Sequence, residues 1–228
     1  MCGRYTLTTD PEELASVFDL VETPELKPRW NIPPTDPVLA IRHSPDGRRR
    51  ATPMRWGLVP PFAEGPKAGP PLINARSETV HRLRPFRDAF RRRRCLVPAD
   101  SWFEWRAAQD GKQPYRFVFG DGRPFGMAGL WERWTGAAGD VLESCTVLTV
   151  APNAVASEVH DRMPLILSPS AWAAWFDPDL QDVEPLRAML VTSPVDDLRY
   201  YPVDRRVNSV RNDDAACVTR VPVQASLF

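Results

Sequence analysis

Cys95-Leu96-Val97-Pro98-Ala99-Asp100-Ser101-Trp102-Phe103-Glu104-Trp105-Arg106 is the stretch whose pattern sets the fold class. Residues 95–98 and 101–106 are short runs rich in apolar and aromatic side chains, which read as strands. The pattern returns at 115–119 and 125–131, and Asp110-Gly111 and Asp121-Gly122 supply the turns between. Strands joined this closely predict antiparallel sheet.

Upstream, residues 3–8 read as a strand. Asp10-Pro11-Glu12-Glu13 is a helix start: an Asp cap, Pro in the first turn and Glu three after the cap. Leu14, Val17 and Phe18 form that helix's apolar face. Residues 29–37, holding Trp30-Asn31-Ile32-Pro33-Pro34, read as a proline-rich loop. Residues 38–42 and 50–59 form a hairpin around Ser44-Pro45-Asp46-Gly47. Residues 60–71 hold five prolines and form a loop; the apolar 72–75 leads into a basic helical stretch ending near Arg93. Downstream come a strand at 145–150, helices at 152–159, 169–176 and 184–190, and short strands near Tyr200 and Val218. With 25 Pro and 12 Gly in 228 residues, long helices should be scarce and short strands and turns should dominate. The expectation is one α+β domain with curved antiparallel sheets at its centre.

A 43% hydrophobic and 25% charged composition is that of a globular chain. No apolar run approaches the ~18 residues of a membrane span, and Met1-Cys2-Gly3-Arg4 begins no signal segment. A membrane protein, a secreted precursor and a disordered chain are therefore set aside, and a cytoplasmic location is expected. The cysteines at 2, 95, 145 and 217 have no C-x-x-C spacing, so reduced thiols are expected, with no structural zinc and no cofactor. The net charge of zero hides an asymmetry: residues 1–116 carry 20 Lys+Arg against 14 Asp+Glu, and residues 117–228 carry 9 against 15. Arg outnumbers Lys 26 to 3, and its fork suits phosphate oxygens. An anionic partner and a merely solvated basic face both remain open at this point.

Four places could carry chemistry. Once Met1 is removed, Cys2 becomes a 1,2-aminothiol whose amine and thiol are each partly deprotonated near neutral pH. Such a group closes on an aldehyde through an imine to a thiazolidine, or cleaves an amide with its own amine as base. Its alternative is a small residue that merely permits Met trimming. Asn74, after an apolar strand, can hold an amine or oxyanion, with Arg76 on the same face; its alternative is an Asx turn. Glu104 lies between two aromatics and is a general acid if its face is buried, or an exposed carboxylate if it is not. Of the three histidines, His43 and His81 read as exposed, while His160, ending a helix before Asp161-Arg162-Met163-Pro164, suits a functional loop or a structural one.

Together these residues form a known pattern. Met1-Cys2-Gly3-Arg4-Tyr5, Trp30-Asn31-Ile32-Pro33-Pro34, Arg55-Trp56-Gly57-Leu58-Val59-Pro60, residues 73–79, residues 95–105 and His160-Asp161-Arg162-Met163-Pro164 occur in this order, and the sequence resembles the SRAP (SOS-response-associated peptidase) family from Cys2 to about Asn208. The resemblance implies an SRAP domain over residues 1–222, with curved, barrel-like sheets, short peripheral helices and a basic cleft for single-stranded DNA. It implies that Met1 is removed and that Cys2 captures the ring-opened aldehyde of an abasic site as a thiazolidine crosslink, in the bacterial cytoplasm near the nucleoid. Asn74 would orient the Cys2 amine, Glu104 would shuttle protons, and His160 would polarise the sugar oxygen or adjacent phosphate. Arg4 and Arg76 would bind flanking phosphates, Pro34 would abut a base, and Ser77, Trp102 and Arg162 would join the DNA surface. After Trp56-Gly57-Leu58-Val59-Pro60 the family commonly has a tryptophan; here Pro61-Phe62 follows, and Phe62 is expected to stack instead.

The last residues, Gln224-Ala225-Ser226-Leu227-Phe228, resemble the Gln-x-x-Leu-Phe peptide that binds the replication sliding clamp; packing on the chain's own domain is the alternative. A monomer is expected. The rival readings are an N-terminal-nucleophile amidohydrolase of the glutamine amidotransferase kind, which would need an Asn-Gly pair that this chain lacks, and a non-covalent DNA-binding module.

Overall fold

The computed structural model describes residues 2–44, 46–109, 111–192 and 197–222. Its elements run β1 (Tyr5–Leu7), α1 (Pro11–Phe18), β2 (Arg29–Ile32), β3 (Pro37–His43), β4 (Arg49–Trp56), β5 (Asn74–Arg76), α2 (Arg87–Arg92), β6 (Arg94–Ala99) and β7 (Ser101–Ala108). They continue β8 (Gly111–Phe119), β9 (Phe125–Thr135), β10 (Val141–Val150), α3 (Ala154–Ser157), β11 (Met163–Pro164), β12 (Ile166–Leu167), α4 (Pro169–Phe176), α5 (Val183–Ala188) and β13 (Leu198–Pro202). Two 3-10 turns, Arg205–Asn208 and Ala215–Val218, follow. Among the described residues no helix is long and apolar enough to cross a membrane.

One sheet has the order β13-β8-β7-β1-β2. The other runs β11-β10-β4-β3-β6-β9-β12, and β9 also pairs with β10, so β10, β4, β3, β6 and β9 close a ring. Closure removes the exposed edges on which strands of other chains could template. Most pairs are antiparallel, as the close spacing of strands predicts, and the β9–β10 register runs from Thr135↔Val141 to Gly129↔Val147. β10 departs from this by pairing parallel with β4 and β5. Long segments separate those strands in the chain, so no tight turn forces them to run opposite.

The helix start at Asp10 is realised: its carboxylate accepts from Glu12 N at 2.8 Å and Glu13 N at 3.4 Å. Leu14 and Phe18 face the core, where Phe18 stacks on Trp172 at 4.7 Å, but Val17 is exposed. Other expectations are corrected. Residues 29–32 are strand rather than loop, because the prolines begin only at 33 and Asp213 accepts the Trp30 and Asn31 amides at 2.6 and 2.9 Å. The basic stretch before Arg93 is turn from 77 to 86 and helix only over α2, since Pro85 offers no amide and disfavours helix before it. Val218 ends a 3-10 turn; the only pairing nearby is the single bridge Val203↔Arg220. His43 and His81 are half-buried, His43 stacked on Phe176 at 5.1 Å. The hairpin of β3 and β4 forms as expected, although Pro45 at its turn, like Asp110 at another, lies outside the described residues.

What positions the chain start is Asp100, only 4% exposed, at the bend between β6 and β7. It accepts from Thr6 Oγ1, from the Thr8 amide and hydroxyl, and from the Thr9 amide at 3.0 Å and hydroxyl at 3.3 Å. This cradle, with the register Tyr5↔Trp102, pins β1 against β7.

Candidate active site

Cys2 precedes β1 and is wholly buried. Its carbonyl accepts from Asn74 Nδ2 at 2.8 Å. Burial, followed by the negative charge of Glu104, pushes the thiol well above its usual range, while the Arg4 amide donating to the sulfur opposes this. Near neutral pH the thiol is therefore protonated and needs a base before it can attack.

Glu104 settles the alternative left open by its alternating pattern. In β7 the first four residues, Ser101 to Glu104, are all buried, because both faces of this stretch are covered. Glu104 is 2% exposed, and burial raises its carboxyl to about 7. His160 Nε2 lies 3.7 Å from Glu104 Oε2. His160 Nδ1 lies 3.0 Å from the Arg162 amide, 3.0 Å from Asp161 Oδ1 and 3.3 Å from Arg162 O, which fixes the ring with Nε2 toward Glu104. Burial lowers the imidazole below its ordinary value. A carboxyl moved up and an imidazole moved down give two groups poised to pass protons near neutrality.

Asn74 opens β5, whose parallel register with β10 is Val147↔Asn74 and Thr149↔Arg76. Asn74 is half-buried, Ala75 is in the core and Arg76 is exposed, so Asn74 and Arg76 share a face as their spacing requires. Asn74 Oδ1 is buried without a hydrogen-bond partner among the described residues, an acceptor available beside Cys2. Arg76 makes no ion pair there either.

The remaining expected residues divide. Arg4 is half-buried; its Nη1 donates to Asn31 Oδ1 at 2.7 Å and Val207 O at 2.8 Å. Pro34 is half-buried at the surface, and Phe62 is 49% exposed with the Arg84 guanidinium 4.0 Å over its ring. The other three expected DNA contacts are less open to solvent. Trp102 is wholly buried, stacked on Phe117 at 4.8 Å and edge-on to Phe125, so it is core. Ser77 is buried, with its amide on Thr149 O at 3.0 Å. Arg162 forks onto Glu78 at 2.5 and 3.1 Å and also donates to Thr149 O at 2.5 Å, which joins the His160 loop to the turn after β5 and to β10. Gln224, Leu227 and Phe228, and Met1, lie outside the described residues.

Residue-by-residue reading missed two supports. Glu78 as the partner of Arg162 is one. Asn31 is the other: wholly buried, it donates to Val207 O, Ser209 O and Asn212 O at 3.1, 3.0 and 2.7 Å while accepting from Arg4. Its signal was its place inside the Trp30-Asn31-Ile32-Pro33-Pro34 block.

A closed mixed barrel thus brings Cys2 together with an amide and a carboxyl, and that carboxyl with an imidazole. Residues 1–210 match the model of the SOS response associated peptidase (SRAP) family, and the chain belongs to that family. It is 35% identical over 217 residues to the abasic site processing protein YoqW of Bacillus subtilis, covering 93% of this chain and 96% of that one. To the abasic site processing protein YedK of Escherichia coli it is 32% identical over 232 residues, covering 97% and 100%. Its fold is similar to a crystal structure of a Bacteroides thetaiotaomicron protein, with TM-score 0.85 at 23% identity, covering 97% of this chain and 100% of that one.

Proposed function

We propose that this chain processes abasic sites in single-stranded DNA by capturing their ring-opened aldehyde on Cys2 after Met1 is removed. The relatives named for abasic site processing support the substrate class. The observation that carries the chemistry is the buried Cys2 beside a carboxyl held near neutrality, with His160 3.7 Å from that carboxyl.

The α-amine of Cys2 attacks the aldehyde carbon, and Glu104 protonates the departing hydroxyl, which leaves as water from the imine. Glu104, now a carboxylate, takes the thiol proton. The sulfur then adds to the carbon of the protonated imine, whose nitrogen keeps one of its two original amine protons while the other has left in the water, giving a thiazolidine with the loss of one water overall and Glu104 protonated again. The carboxyl near 7 suits both directions of transfer. Asn74 orients the amine with its buried carbonyl oxygen. His160 polarises the sugar oxygen or the neighbouring phosphate. Arg4 and Arg76 hold flanking phosphates, while Pro34 and Phe62 pack on bases.

The test mixes the protein with a single-stranded oligonucleotide bearing one abasic site, then runs a denaturing gel with Cys2→Ala and an undamaged oligonucleotide alongside. A shift that needs both Cys2 and the lesion is expected. No shift, with loss of Met1 verified by mass spectrometry, would overturn the reading.

A further inference from the structure

A cavity of about 1120 Å³ opens where the β3–β4 hairpin, the paired β9 and β10, and the end of α4 meet. None of the residues assigned to aldehyde capture lines it. Mouths of small barrels, and the clefts beside them, are where such folds take up small ligands. Arg42 builds the floor. Within the ring β3 pairs only with β4 and β6. Yet the Arg42 guanidinium forks onto Glu143 of β10 at 3.1 and 2.9 Å and lies 4.3 Å from the ring centre of Trp131 in β9. Its side chain therefore crosses the open end of the ring. Cys145, the cross-strand neighbour of Trp131, is wholly buried and belongs to the filled interior. Guanidinium, indole and carboxylate thus form a fixed, flat layer over the core. Ala173, Ala174 and Pro178 form another wall; all three are exposed and compact, so the space stays open.

The charges around this layer do not cancel. The lining holds three guanidinium groups, of Arg42, Arg50 and Arg133, against two carboxylates, of Glu143 and Asp177. Glu143 is taken by Arg42. Arg50 meets Glu22 at 3.2 Å and Asp46 at 3.3 Å, both on the outer side of the hairpin and neither part of the lining. Asp177 caps the turn after α4, its Oδ1 accepting from the Asp179 amide at 2.9 Å. Arg133 stands directly opposite Glu143 in the β9–β10 register, is exposed, and makes no ion pair among the described residues. The surplus positive charge of the cavity therefore sits at Arg133.

Two chemistries meet in one space. A flat body suits the Arg42–Trp131 layer and the alanine wall, because rings stack on guanidinium planes and indoles alike. An anion suits Arg133, and a second guanidinium on the lining, that of Arg50, favours the several oxygens of a phosphate over a single charge. A mononucleotide carries both parts. We infer that this cavity binds a mononucleotide, with the base against Arg42, Trp131 and Ala173 and the phosphate on Arg133 and Arg50. The inference concerns a site separate from Cys2 and does not rest on the abasic-site reading above.

The experiment titrates adenosine monophosphate into the full chain by isothermal calorimetry, with adenosine and inorganic phosphate alongside. Saturable binding of the nucleotide is expected, tighter than that of either half. Arg133→Gln should weaken it about tenfold, the worth of one hydrogen bond to a charged group. Ala173→Glu, which brings a carboxylate into the cavity from an exposed helix position, should weaken it at least as much. Arg76→Gln, at the capture site, should leave it unchanged. Urea midpoints equal to wild type show that the variants are folded. No saturable binding would overturn the inference. So would phosphate alone binding as tightly as the nucleotide, or binding that survives both cavity variants and is lost in Arg76→Gln.

Discussion

Asp100 and Glu104 sit four residues apart, 4% and 2% exposed, yet their surroundings differ in kind. Asp100 is wrapped by hydroxyls and amides of Thr6, Thr8 and Thr9, groups that hold a carboxylate and do not exchange protons with it. Glu104 faces the Cys2 thiol and the His160 imidazole, groups that do. Burial alone thus says little about role. The same withdrawal from water leaves one carboxyl wrapped as an anchor and raises the other to about 7, where the proposed mechanism uses it to carry protons.

The largest effect expected from breaking this contrast is on the anchor. Asp100→Ala leaves the β1 donors without an acceptor and should destabilise the fold by about 3 to 5 kcal/mol, measured by urea unfolding. A loss below about 1 kcal/mol would mean the cradle is not what holds β1. Glu104→Gln should do the reverse: the crosslinking rate should fall at least about 100-fold, the usual worth of a general acid–base group, while the urea midpoint at pH 8 does not fall. A variant that crosslinks at wild-type rate would remove Glu104 from the chemistry.

Glu104 can also be read by pH. Glu104 titrates at about 7 in the fold against 4.5 ordinarily, so the folded chain keeps a proton that the unfolded chain releases. Its contribution to stability is complete below about 4.5 and is lost as pH rises through about 7. Wild type should therefore lose up to about 3 kcal/mol relative to Glu104→Gln between pH 4 and 8, by paired unfolding curves. Parallel curves would show that Glu104 has an ordinary carboxyl. The smallest effect belongs to the support: Glu78→Ala frees the Arg162 fork and should slow crosslinking about tenfold, with stability changed by about 1 kcal/mol or less. A return of the rate in Glu78→Asp would tie the effect to positioning of the His160 loop.

The strands from 95 to 131 were legible because apolar alternation and turn residues are local signals. So was the cap at Asp10, and so was α4, which matches the expected 169–176. The parallel partners of β10 were not, because register between segments far apart in the chain leaves no mark in either. Cys2, Asn74, Glu104 and His160 were readable as candidates because their residue types carry chemistry, and the structure puts Asn74 on the Cys2 carbonyl and His160 3.7 Å from Glu104. Direction was less so. Trp102 looks like a stacking residue by composition, and only the layer formed by Phe117 and Phe125 hides it. Arg162 looks like a phosphate ligand until Glu78 claims it. A side chain's type is local, but its partners are set by tertiary contacts.

One measurement would weigh most. After reaction with an abasic single strand, nuclease and protease digestion would leave the N-terminal peptide for mass spectrometry. A sugar remnant on Cys2, at the mass of aldehyde addition less one water, with both the α-amine and the thiol blocked, is expected. A remnant elsewhere, or on Cys2 with a free amine or free thiol, would contradict capture by the aminothiol.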